Sequence, residues 1–138
     1  TVHESSLSPC THSIVASAVG DKQKAYDLYL RTARLDLDDY NNEVADGLHI
    51  TSMAGTWLAI VQGFGGMRVK DNKLHFNPQI PEKWNAFAFN ILFRNNQLNI
   101  KVEKHKTIIS NIKGPAIELY LRKKSVRIEA ESQEEIER

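Results

Sequence analysis

A single cysteine, Cys10, stands in this chain of 138 residues. One thiol makes no internal disulfide and supplies no zinc-ligand spacing, so a reducing compartment suits the chain and the cytoplasm is the expected location. An excess of either charge is also lacking: 18 Lys plus Arg face 17 Asp plus Glu. That balance removes the basic surplus of a nucleic-acid binder. No uninterrupted apolar run is long enough to span a bilayer. The opening residues Thr1-Val2-His3-Glu4-Ser5-Ser6 have neither the basic region nor the apolar core of a secretory signal. His12, His75 and His105 are scattered without ligand spacing. Asp36, Asp38 and Asp39 lack the glycine and distal glutamate of an EF-hand loop. No metal and no cofactor is therefore expected.

What is present is ordinary in amount and uneven in arrangement. Hydrophobic residues make up 41% and charged residues 25%, the composition of a globular chain. The length suffices for one domain or for two small pieces that lean on each other. Residues 1–65 read as helices and loops. Ser8-Pro9 signals a helix start, with Ser8 as cap, and Gly20 closes the run. Asp21 caps a second helix whose Ala25, Leu28, Tyr29, Thr32 and Ala33 share one face. Met53 to Phe64 predicts a third helix, apolar on nearly every side and so buried, with Trp57 and Phe64 in its core.

Near residue 66 the period changes from helical to two. Met67 and Val69, then Leu74 and Phe76, flank a turn at Asp71-Asn72. Phe87, Phe89, Ile91 and Phe93 alternate, Asn95-Asn96 turns the chain, and Leu98, Ile100 and Val102 return. Residues 66–131 thus predict an antiparallel β-sandwich. The charged tail, residues 132–138, is expected to fray. Three helices do not close a helical barrel, so residues 1–65 read as part of a larger helical assembly and the chain as one segment of a longer polypeptide.

The stretch from Asp46 to Trp57 carries the strongest functional signal. Glycine, hydroxyl and one histidine side chain cluster in a turn that feeds a helix N-terminus. Backbone N–H groups point outward at such a place, and an anion sits there readily. His49 is the first candidate ligand, because an imidazole donates a hydrogen bond whether neutral or charged. A histidine packed in a loop against backbone is the plainer alternative. Ser52, Gly55 and Thr56 would add hydroxyls or amides; equally, Thr51 or Ser52 would simply cap the helix while glycine relieves crowding.

Four blocks in order resemble glycoside hydrolase family 65: His3-Glu4-Ser5-Ser6-Leu7-Ser8, Arg34 to Tyr40, Asp46 to Trp57, and Gly63-Phe64-Gly65-Gly66-Met67-Arg68. The likeness continues through Leu74 to Pro78 and Ile80 to Trp84, and fades after about residue 105. It implies the last helices of an (α/α)6 barrel followed by a C-terminal antiparallel β-sandwich domain. It implies inverting phosphorolysis of an α-linked glucose disaccharide, maltose first. Kojibiose, trehalose or nigerose as substrate, a hydrolase, or a stand-alone sugar-binding sandwich are the alternatives. Inorganic phosphate would be co-substrate, the upstream barrel the partner, and a homodimer the assembly. The resemblance places His49, Ser52, Gly55, Ser5 and Ser6 at phosphate and Glu4 at sugar hydroxyls. The family's general-acid glutamate belongs to an earlier barrel loop, so no catalytic acid is expected within these residues.

Overall fold

The computed structural model describes residues 5–39 and 42–137. The chain divides into two compact units, residues 1–66 and 67–138.

The first unit is built on three helices. Helix α1 spans Ser8–Val19 and ends at Gly20, whose φ of 86° makes the left-handed cap that glycine adopts without a Cβ clash. Helix α2 spans Lys22–Ala33, and the Asp21 carboxylate accepts the Lys24 N–H at its start. Ala25, Leu28 and Thr32 are buried along it. Helix α3 spans Ile50–Leu58 and continues as a wider π-helical segment over Ala59–Phe64. Two buried hydroxyls fasten α1 to its neighbours. Ser13 donates to the Ala25 carbonyl at 2.8 Å, and Ser17 to the Gly63 carbonyl at 2.9 Å.

Two expectations about these helices are corrected. Ser8 does not cap α1; Leu7 takes that position, and the Ser8 hydroxyl donates back to the Ser5 carbonyl. The third helix begins three residues earlier than expected and is not buried on every side. Ser52, Gly55, Ala59, Val61 and Phe64 face the other helices, while Ile50, Met53 and Trp57 are exposed, Trp57 at 48%. Phe64 packs as expected, edge-on to Tyr29. The reason is geometric: among the described helices α3 packs mainly on α1 and α2, and two neighbours cover only part of a helix.

The second unit is two four-stranded sheets. Strands β1 (Arg68–Lys70), β2 (Lys73–Phe76), β6 (Ile117–Leu121) and β7 (Lys124–Ile128) form one, in the order β1-β2-β6-β7. Strands β3 (Ala86–Phe93), β4 (Asn96–Glu103), β5 (Lys106–Lys113) and β8 (Gln133–Glu137) form the other, in the order β3-β4-β5-β8. Asp71 and Asn72, with φ of 49° and 60°, make the tight turn between β1 and β2. Leu98, Ile100 and Val102 of β4 are fully buried at every second position, so a one-residue slip would turn all three to solvent. The Phe76 ring of one sheet meets the Phe89 ring of the other at 6.4 Å.

The sandwich departs from the expected pattern in two places. β2 and β6 pair parallel, with His75 beside Tyr120. The chain leaves after β2 to build β3, β4 and β5 in the other sheet, and that long connection lets β6 return in the same direction. The charged tail, expected to fray, forms β8 against β5. Its glutamates tolerate this because an edge strand keeps one side in water, and Glu135 accepts from Lys106 Nζ at 2.7 Å.

Candidate functional site at the start of helix α3

The site is assembled from the turn after α2, the turn before α3 and the segment leading into α1. After α2 the chain carries three aspartates, Asp36, Asp38 and Asp39, each with its own task. Arg34 and Asp38 pair through two hydrogen bonds, at 2.6 and 2.8 Å. The Asp39 carboxylate accepts the Glu43 and Val44 N–H groups at 3.0 and 3.1 Å, closing a short 3-10 turn at Val44–Asp46. Asp36 reaches instead to His49.

The contact between Asp36 and His49 is double. One carboxylate oxygen accepts the His49 backbone N–H at 3.0 Å, and the other meets ring Nδ1 at 2.6 Å. The ring's second nitrogen, Nε2, lies 3.4 Å from the Glu43 carboxylate. The Asp36 hydrogen bond raises the His49 pKa above its ordinary 6.5, opposed by partial burial and helped by Glu43. The same hydrogen bond lowers that of Asp36. His49 is thus a fixed, readily protonated donor, and the alternative of a ring bonded to backbone is not what the structure has. His49 also holds the N-cap position of α3, in place of the expected Thr51 or Ser52, but its side chain makes no cap bond. Its carbonyl accepts the Ser52 and Met53 N–H groups.

Ser52 is buried in the first turn of α3, and its hydroxyl donates to the Ser6 carbonyl at 2.8 Å. This bond joins two stretches far apart in sequence, and it brings the serine loop against the helix start. Within the loop the Ser5 hydroxyl accepts the Leu7 N–H at 3.3 Å. Glu4, the candidate for sugar contact, and His3 beside it lie outside the described residues.

Gly55 and Thr56 serve α3 itself. A Cβ on Gly55 would lie 2.8 Å from Cys10 Sγ, so the glycine lets α1 approach α3 closely. The Thr56 hydroxyl donates to the Ser52 carbonyl one turn back. Of the residues singled out in the sequence, Ser6 and Ser52 are joined directly, His49 is gripped from the side, and Gly55 faces a helix. Asp36 was missed as a site residue. Its place in the Arg34 to Tyr40 block was the available signal, but three nearby aspartates look alike until the fold shows which one reaches the histidine.

Comparison with known proteins fits this division. Residues 1–58 match the glycosyl hydrolase family 65 central catalytic domain. Residues 67–128 match the glycosyl hydrolase family 65 C-terminal domain, so the likeness does not end near residue 105 but extends to residue 128. The chain belongs to glycosyl hydrolase family 65. A maltose phosphorylase of Bacillus subtilis (strain 168) is 50% identical over 119 residues, covering 86% of this chain and 16% of that protein. An alpha,alpha-trehalose phosphorylase of Thermoanaerobacter brockii is 47% identical over 129 residues, covering 94% and 17%. A solved structure of a proposed kojibiose phosphorylase from the human microbiome superposes with a TM-score of 0.92 at 40% identity, covering all of this chain and 20% of that one. The chain therefore spans about a sixth of the length of these curated family 65 relatives. It corresponds to a C-terminal portion of them, where the central catalytic domain gives way to the C-terminal domain.

Proposed function

We propose that this chain is the phosphate-facing part of an inverting disaccharide phosphorylase, with maltose as the disaccharide. The bond from Ser52 to Ser6 is the observation that carries this reading. It fixes the serine loop beside the first turn of α3, and a helix N-terminus stabilises an anion without a formal cation. His49, held by Asp36, adds a charge-assisted donor there.

In the reaction a phosphate oxygen attacks the anomeric carbon from the face opposite the leaving glycosidic oxygen. That C–O bond breaks, and the leaving oxygen takes a proton from a carboxylic acid outside these residues. Glucose and β-glucose 1-phosphate result. Phosphate is already a nucleophile, so no carboxylate base is required on its side, unlike the two-carboxylate arrangement of an inverting hydrolase. Preorganised neutral donors and one imidazole suit the anion that must be held in line. Glu4 would hydrogen-bond sugar hydroxyls, and phosphate is the only small molecule needed besides the sugar.

The helical unit completes an (α/α)6 barrel with upstream helices, and the exposed Ile50, Met53 and Trp57 are the surface they would cover. An alternative linkage, trehalose, is favoured by the longer of the two matches, 129 residues against 119. Assay of the complete polypeptide on maltose, trehalose, kojibiose and nigerose, with and without inorganic phosphate, decides among them. Phosphate-dependent release of glucose from maltose is expected. Equal rates without phosphate would make the protein a hydrolase. The 138-residue chain by itself is expected to be inactive, and measurable phosphorolysis by it would overturn the assignment of the acid to another segment.

A further inference from the structure

We propose that one end of the β-sandwich is a binding site for a single sugar ring. The β1–β2 turn and the segment entering β6 reach this end from one sheet, and the β3–β4 turn reaches it from the other. Together they line a cavity of about 320 Å³, at the small end of the range for ligand pockets. Phe93 lines it, and the Arg94 guanidinium lies over that ring, 5.2 Å from its centre. Among the described residues the guanidinium has no hydrogen-bond acceptor and no ion pair, so its donors are open.

The wall is held still by buried polar groups. Asn111 and Asn96, 1% and 6% exposed, both donate to the Pro115 carbonyl, at 2.8 and 2.6 Å. Gly114, at φ 119°, passes so close to the β3–β4 turn that a Cβ there would strike the Asn95 carbonyl oxygen. Asn96 lines the cavity and uses its Nδ2 on Pro115 and Asn111, while its Oδ1 has no partner among the described residues. A buried acceptor without a donor is costly, and on a cavity wall an occupant can supply one.

The mixture of donors and acceptors selects the ligand chemistry. The Arg94 fork and the exposed Asn72 and Asn95 amides offer N–H groups. Asn96 Oδ1 and the Glu118 carboxylate accept; Glu118 already takes Lys73 Nζ at 2.8 Å and the Ser125 hydroxyl at 2.6 Å, with lone pairs left over. A phosphate or carboxylate anion chiefly accepts, and Glu118 and Asn96 Oδ1 would repel it. A hydroxyl both donates and accepts, so a ring that carries several meets every group, and its C–H surface suits Phe93, Pro115 and Ile117. Arg94 also stands where arginine is not at ease. It holds the first turn position between β3 and β4 at φ 54°, in the left-handed region that glycine or asparagine adopts most readily. That backbone cost keeps a guanidinium on the cavity.

The test is hydrogen exchange of the complete polypeptide titrated with glucose and with maltose, read at the amides of residues 71–73 and 93–96. Inorganic phosphate without sugar is a separate arm. Saturable protection of these amides by sugar is expected, and none by phosphate. Arg94→Gly is expected to raise the half-saturating sugar concentration about three- to tenfold, the worth of a lost hydrogen bond. Its stability to denaturant is expected to hold, because glycine adopts the left-handed turn without strain. No protection by either sugar would overturn the site, as would protection by phosphate in the absence of sugar. An Arg94→Gly protein that takes up sugar as the unaltered protein does would overturn it too. Phosphorolysis is not part of the readout, so the outcome is independent of the phosphate reading of His49.

Discussion

The hydroxyl of Ser52 donates a 2.8 Å hydrogen bond to the carbonyl of Ser6, across 46 positions of sequence. One buried side chain thus fixes where the serine loop lies relative to the first turn of α3. Ser52→Ala leaves that carbonyl without its donor, at a cost of about 1 kcal/mol. Hydrogen exchange of the Leu7 amide is expected to quicken, and the Michaelis constant of the complete polypeptide for phosphate to rise. Unchanged exchange at the loop would show that the bond does not hold it.

Asp36 and His49 predict a pH dependence. The shared hydrogen bond holds Asp36 below its ordinary 3.8 and His49 above 6.5. The pair's contribution to folding is whole between those values. It is lost as pH rises through the raised pKa of His49, and as pH falls through the lowered pKa of Asp36. In Asp36→Asn the NMR titration midpoint of the His49 ring is expected to move down. A midpoint that stays in place would mean that Glu43 alone sustains it.

Gly55 lies where a Cβ would come within 2.8 Å of Cys10 Sγ and 2.9 Å of Cys10 Cβ. Gly55→Ala is expected to destabilise the helical unit by about 1–3 kcal/mol, the usual cost of overpacking, read from denaturant unfolding. Adding Cys10→Ala removes the sulfur and recovers part of the loss. A Gly55→Ala protein of full stability would contradict the close approach of α1 to α3.

Strand β8 covers an edge of β5. Removing residues 132–138 deletes the whole β8 ladder and the Ser132 carbonyl that accepts the Asn111 N–H at 2.8 Å. Exchange of β5 amides, Asn111 among them, is expected to quicken while β3 and β4 stay protected. Equal protection with and without the tail would mean that β8 contributes nothing to the sheet.

Much of the fold was legible because it follows from local chemistry. Asp21 caps α2, Gly20 ends α1, and the alternation from Leu98 to Val102 faces the core, each by rules that act over a few residues. The β6–β7 turn was not legible in the same way. Arg122 and Lys123 take positive φ, of 48° and 69°, without the asparagine or glycine that announces such a turn, because the pairing of the flanking strands imposes it. That the all-apolar α3 needs more neighbours than these residues supply was legible, and Ile50, Met53 and Trp57 are the exposed positions; which of its sides stays covered was decided by the packing of α1 and α2.

By itself the sequence determined where helices yield to strands, which residues fill the sandwich, and which turn is friendly to an anion. Those depend on periodicity, capping and backbone freedom, all written locally. Only the tertiary structure decided that Asp36, among three aspartates, grips His49, that Glu43 takes its other edge, and that Ser52 fastens Ser6. It likewise decided that Gly55 serves the approach of Cys10. Such contacts are set by how distant segments meet, and side chains of the same type become different residues once one of them is within 3 Å of a partner.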